Sequence, residues 1–185
     1  MVKITKRDIE IKKFLEEVIV ADTKTLSILF FNNSLRATQK RLKMLCDDKF
    51  LKCYRENMLE QNIYYVKKRS INWKHKIIFS QLLANLKLQN IEVLKYRTPY
   101  QIENVIADGL IVVKFDDEVK IYFVEGERKK KFDLDKYIKL YYSRKWKEIF
   151  PIFPSILLIT DNNYKTVQVL NIIRCSWSLE DLNLK

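Results

Sequence analysis

The feature that most limits what this chain can fold into is a change of period. Up to Gln89 its apolar residues recur mainly at three- and four-residue spacing, as on helices with one buried stripe. From Ile91 onward they alternate with polar residues or run together, as in strands. A chain of 185 residues has room for one full-size domain or two small ones. The expectation is an α+β protein in two parts: a helical first part over residues 1–70, and an α/β part with a mixed sheet over residues 71–185.

Thr5 and Asp8 form a Thr-x-x-Asp start signal, a weaker form of the capping box. Ile11, Leu15 and Val18 follow on one face with Phe14 beside them, which predicts a helix over Lys6–Val18. Asp22 or Thr23 caps a second, shorter helix with Leu26, Leu29 and Phe30 as its stripe. Asn32, Asn33 and Ser34 make a turn, and Ser34 is placed to cap a third helix in which Leu35, Thr38, Leu42 and Leu45 share a face. Arg36, Lys40 and Lys43 share another face of that helix, with Gln39 and Arg41 beside them. Like charges at this spacing repel by roughly a few tenths of a kcal/mol per pair. A phosphate backbone removes that repulsion and releases its counterions as well. A solvated basic face that touches nothing is the plain alternative.

Phe50–Arg55 and Asn62–Val66 read as the strands of a hairpin around the polar stretch Glu56–Gln61. Three short helices with the last one basic resemble a helix-turn-helix unit, and a hairpin directly after it resembles the wing of a winged-helix domain. The tip of that wing carries Glu56 and Glu60 instead of Lys or Arg. The helix is therefore expected to carry most of the binding. Lys67, Lys68 and Arg69 at the hairpin exit either reach phosphate or form a solvated linker.

The formal net charge is +12, with a Lys/Arg surplus of seven over residues 1–70 and of five over the rest. That implies a polyanionic partner, nucleic acid before an anionic membrane surface. No apolar run is long enough to span a bilayer and the N-terminus has no signal-peptide pattern, so a cytoplasmic protein without a membrane partner is expected. Cys46, Cys53 and Cys175 have no paired metal spacing and His75 is the only histidine. Neither a zinc site nor a disulfide framework is expected.

The second part opens with an amphipathic helix over Trp73–Gln89, which suits a first element of that part, a dimerisation helix, or both. Strands are expected at Ile91–Arg97, Asp108–Phe115 and Val119–Val124, then a helix over Asp133–Phe150 interrupted by Pro151 and Pro154. Ser155–Thr160 is a continuous apolar run suited to a strand buried on both faces, and Tyr164–Arg174 has helical spacing.

The chain's two glycines each follow a carboxylate, in Asp108-Gly109 and Glu125-Gly126. On neighbouring strands Asp108 and Glu125 would come together, and two adjacent carboxylates require a cation or a shared proton. A divalent metal fills that role in phosphodiester chemistry. Asp-Gly is also a common turn pair, and a glycine near a strand end often marks a bulge. The order of helix, strand, Asp-bearing strand, Glu-bearing strand, helix and strand resembles the PD-(D/E)xK nuclease fold of restriction endonucleases and Holliday-junction resolvases. The resemblance implies Asp108 and Glu125 as ligands of Mg²⁺ or Mn²⁺ and a lysine two residues further on that positions the attacking water. Glu127 stands at that place, so the candidate catalytic set is Asp108, Glu125 and Glu127, without the lysine's cation. Arg128 and Lys129 would need a bulge to point the same way as Glu125. Over nearly its full length the chain also resembles the replication-relaxation family of plasmids and conjugative elements, in the stretches Ile4–Ile11, Arg36–Leu45 and Ala107–Ile111. That resemblance implies DNA binding in replication, relaxation or transfer of a mobile element.

Three readings follow. The first is a site-specific protein for double-stranded DNA, expected to be a homodimer, that reads the major groove through Arg36, Gln39, Lys40 and Lys43 with Thr38 or Arg41 on phosphate. The second is a metal-dependent endonuclease using Asp108 and Glu125. The third is a DNA-anchored module that binds a replication or transfer protein through Tyr137, Tyr141, Tyr142 and Trp146, an aromatic stripe that also has the spacing of a core.

Overall fold

The computed structural model describes residues 2–128, 131–163 and 167–184, which divide into two compact units, Met1–Asn90 and Ile91–Lys185. The described residues form an α+β protein with five α-helices and a mixed sheet. The boundary lies after the fourth helix, not at residue 70.

In the first unit α1 (Lys6–Val18) starts with both halves of the capping box. The Asp8 N–H donates to Thr5 Oγ1 (3.4 Å) and the Thr5 N–H to Asp8 Oδ2 (2.7 Å). Its stripe of Ile11, Phe14, Leu15 and Val18 is buried. The strand β1 (Ala21–Asp22) is too short to show a period in the sequence. It leads into α2 (Thr23–Phe30), which Asp22 caps by accepting from the Thr25 N–H at 2.7 Å. After a turn at Asn32 and Asn33, whose left-handed φ values of 49° and 62° asparagine tolerates, comes α3 (Leu35–Asp47). Thr38, Leu42 and Leu45 are buried as expected, while Leu35 is 47 % exposed. The Ser34 hydroxyl makes no capping bond; instead Thr38 Oγ1 donates to the Ser34 carbonyl at 2.7 Å. Next, β2 (Lys52–Tyr54) and β3 (Ile63–Tyr65) pair antiparallel, and β1 adds to the other side of β3.

The helix α4 (Trp73–Leu88) packs on α1, α2 and β1. Gln81 Nε2 donates to Asp22 Oδ2 (2.7 Å), Lys87 Nζ to the Leu29 carbonyl (2.6 Å), and Trp73 and Ile77 share a core with Val20 and Ile63. These ties assign it to the first unit. An apolar stripe in a sequence shows that a helix packs, not what it packs on.

The second unit is built on a five-stranded sheet in the order β10-β9-β8-β7-β4, comprising β4 (Glu92–Arg97), β7 (Gly109–Phe115), β8 (Glu118–Gly126), β9 (Ser155–Ile159) and β10 (Ile172–Cys175). Pairing from β4 to β8 is antiparallel and from β8 to β10 parallel. A parallel β8–β9 pair needs a crossover, and α5 (Leu134–Ser143) supplies it. Leu110 and Phe123, paired across β7 and β8, pack with Tyr137 and Leu140 of α5 and with Ile156. By strand alternation Tyr122 faces the other way, where its hydroxyl donates to the Leu184 carbonyl at 3.3 Å. Ile156 to Ile159 are fully buried, as their unbroken apolar run predicts.

Three features of this unit differ from expectation. Between β4 and β7 lies a separate hairpin of β5 (Tyr100–Ile102) and β6 (Val105–Ala107), whose strands are too short to show alternation. The helix expected to run to Phe150 ends at Ser143, because Arg144 turns left-handed (φ 59°) and a 3-10 turn, Lys145–Glu148, follows. The helix expected over Tyr164–Arg174 gives way to β10, which pairs with β9; the β-branched Ile172 and Ile173 suit that ladder. Tyr164, Lys165 and Thr166 lie outside the described residues.

Candidate functional site

The polar groups of α3 divide into two kinds. Arg36, Gln39, Lys40 and Lys43 are exposed, and none of them forms an ion pair among the described residues. Arg41 is different. Its Nε donates to Asp8 Oδ1 (3.0 Å), its Nη2 pairs with Asp8 Oδ2, and the same nitrogen donates to the Lys3 carbonyl at 2.8 Å. Asp8 is fully buried. Burial pushes its carboxyl up, but hydrogen bonds from Arg41 and Thr5 outweigh burial and hold it below the ordinary carboxylate range. Arg41 therefore braces α3 against α1 and is not at liberty to reach phosphate. Thr38 drops out for the same reason, since it is buried with its hydroxyl on Ser34.

The connection between β2 and β3 is anchored where it leaves β2. Glu56 pairs with Lys74 Nζ at 2.5 Å and accepts from Trp73 Nε1 at 3.2 Å, so its charge is drawn toward the start of α4. Asn57 Oδ1 accepts from the N–H groups of Leu59 and Glu60 (2.9 and 3.1 Å), a turn that leaves Met58 and Leu59 at 92 % and 99 % exposure. Of the exit residues, Lys67 and Lys68 face solvent, while the Arg69 guanidinium lies 4.0 Å over the Tyr54 ring.

In the second unit the β7–β8 register brings Asp108, just before β7, opposite Glu125 near the end of β8. The Gly126 N–H donates to Asp108 Oδ2 at 2.8 Å. Glu125 Oε1 accepts from Lys136 Nζ and from the Tyr137 hydroxyl, both at 2.5 Å, and Lys136 Nζ donates also to the Ile106 carbonyl at 2.9 Å. Burial pushes the Glu125 carboxyl up; the charge and hydrogen bond of Lys136 oppose that rise without cancelling it, and Asp108 adds to it. Glu127 does not join the pair. It is buried, with Oε2 accepting from Thr160 Oγ1 at 2.7 Å and its N–H donating to the Ile159 carbonyl at 2.9 Å.

The ammonium beside Glu125 is that of Lys136, on a different element from Glu127. The local sequence does not single out Lys136, because Asp133 and Asp135 stand at the same end of α5. Mg²⁺ or Mn²⁺ takes several oxygen ligands with lone pairs to give. Here Glu125 Oε1 is covered by an ammonium and a phenol, Glu127 is turned to Thr160, and no three His, Cys, Asp or Glu residues converge among those described. This donor set does not fit a divalent ion.

The aromatic stripe of α5 and the following turn is mostly core: Tyr137 and Trp146 are buried, Tyr141 stacks on Trp146, and Tyr142 alone of the four is exposed, at 65 %. No helix among the described residues is long and apolar enough to cross a membrane. Compared with protein-family models, with curated proteins and with solved structures, the chain matches none.

Proposed function

We propose that this chain is a DNA-binding protein that presents α3 to the major groove of double-stranded DNA. The observation that carries the reading is the unequal treatment of that helix: Arg41 is engaged by a buried carboxylate, while Arg36, Gln39, Lys40 and Lys43 are left to solvent on one stretch of surface. The element order α1-β1-α2-α3-β2-β3 with a β1-β3-β2 sheet fits a winged helix-turn-helix, with α3 as its recognition helix. Arg or Lys toward guanine and Gln toward adenine is the readout these side chains offer, each bidentate pair worth roughly 1–3 kcal/mol of discrimination. Lys67 and Lys68 suit backbone phosphate. A homodimer on two half-sites is the natural assembly. Action in replication, relaxation or transfer of a mobile element rests on the resemblance of three short stretches.

The strand order of the second unit and its β8–α5–β9 crossover fit a PD-(D/E)xK-like core. With Lys136 seated on Glu125, we read it as a core without turnover that serves DNA contact or self-association. Incubation of supercoiled DNA with Mg²⁺ or Mn²⁺ decides against this if nicking occurs and is lost in Asp108→Ala. For α3 the test is duplex binding against salt. Lys40→Ala is expected to weaken binding, to relax specificity at the base it reads and to lessen the salt dependence. Unchanged affinity and slope would remove α3 from the interface.

A further inference from the structure

The connection between β2 and β3 in the first unit is tied down at both ends. Glu56 is held by Lys74 and Trp73 at the start of α4, and Gln61 Oε1 accepts from the Lys24 N–H of α2 at 3.0 Å. Between these ties stand Met58 and Leu59, on the turn that Asn57 closes. With Ile71 they are the most exposed large apolar side chains among the described residues, at 92 %, 99 % and 97 % against 76 % for the next. The surrounding charge is cationic. Arg55, Lys67 and Lys68 are exposed, Glu56 is paired with Lys74, and Glu60 is half-buried. An apolar pair fixed at its feet and flanked by cations suits a polyanion with an apolar interior, which is what a stacked duplex is.

We propose that Met58 and Leu59 form an apolar wedge that enters the minor groove next to α3 and parts two stacked base pairs, kinking the DNA. The wedge rests on the reading of α3 as a major-groove helix, which sets its register on the duplex. Reach allows the insertion. At about 3.3 Å per residue, the chain from Lys52 at the start of β2 to Met58 spans up to about 20 Å. On a duplex with a helical turn of about 34 Å, the minor groove lies half a turn, about 17 Å, from the major groove that α3 enters. Met and Leu are among the side chains that part base steps, and kinks of about 20–90° follow. The wedge is uncharged, so the salt dependence of binding stays with the lysines and arginines. Unstacking a step offsets much of what apolar burial and the bent backbone return, so the wedge shapes the complex more than it tightens it.

The probe is a duplex enriched by the full chain from a random-sequence pool, with a fluorescent donor and acceptor on its two ends. Wild type should raise energy transfer between the ends. It should also make thymines at one TA or CA/TG step reactive to permanganate, which oxidises unstacked thymine. Met58→Ser combined with Leu59→Ser should lose both signals and keep affinity within about tenfold, the avoided unstacking offsetting the lost contacts. Both side chains are exposed, so this variant keeps its fold. Met58→Leu and Ile71→Ser should each retain both signals. A bound duplex that stays straight, or a bend that survives the double serine change, would overturn the wedge and leave the α3 reading standing. Failure to enrich any duplex would overturn both. A dimer in sedimentation without DNA, or adhesion to anionic lipid vesicles, that disappears in the double variant would assign the two side chains to that partner and overturn the wedge.

Discussion

Asp8 in the first unit and Glu125 in the second are both carboxylates held by one cation, yet their acidities move in opposite directions. Asp8 receives four donors spread over its two oxygens, from the Thr5 N–H and hydroxyl and from two nitrogens of Arg41. Glu125 receives two, both on Oε1, and has Asp108 as a neighbour. Burial lifts both groups, and only at Asp8 do the hydrogen bonds win. A single cation does not decide the matter. The number of donors and their spread around the anion do.

The largest way to break this comparison is to remove a cation. Arg41→Met leaves Asp8 buried with only Thr5 as a donor, and loss of one partner of a buried pair costs about 3–5 kcal/mol. Urea denaturation should show that loss in the first unit, and Asp8→Asn added to Arg41→Met should recover part of it. A loss below about 1 kcal/mol would mean that Arg41 does not brace α1. Lys136→Met should cost less, about 1–3 kcal/mol at neutral pH, because Glu125 is already inclined to take a proton and so escape being an unpaired charge. That deficit should shrink as the pH is lowered.

The opposite shifts also predict opposite pH limbs. Stability rises with pH wherever the unfolded chain binds more protons than the folded one. The Asp8 contribution is therefore present above the ordinary aspartate range and is lost as pH falls through its lowered value. Glu125 behaves inversely: the folded chain holds the proton longer, so its contribution is full below the ordinary glutamate range and is lost as pH rises through its raised value. Asp8→Asn should flatten the acid limb and Glu125→Gln the limb above it, both read from urea midpoints against pH. A Glu125→Gln curve that keeps its decline with rising pH would show that another group carries it.

The two units also differ in how far their sequences reveal them. In the first, local signals agree with the outcome: the Thr5–Asp8 cap, the stripe Ile11–Leu15–Val18 and the basic run of α3 each act over one helical turn. What stays hidden is long-range. That Arg41 leaves the basic face and that α4 joins this unit depend on Asp8 and Asp22, which lie far away in the chain. In the second unit the Asp108–Glu125 approach is legible because strand pairing follows from a hairpin. Lys136 is not, since it arrives across a crossover, and β10 is not, since a short β-branched stretch takes its conformation from the edge it finds.

The smallest expected effect tests the reading of α3 most sharply. Lys40 has Arg36 four residues before it and Lys43 three after, all exposed. Lys40→Gln keeps a similar helix propensity and removes two like-charge contacts, so the free protein should gain about 0.3 kcal/mol, most visibly at low salt. The same change should weaken duplex binding by removing a phosphate or base contact. A basic face that merely meets water would show the gain without the weakening. A charge that destabilises the free protein and stabilises the complex is one kept for a partner.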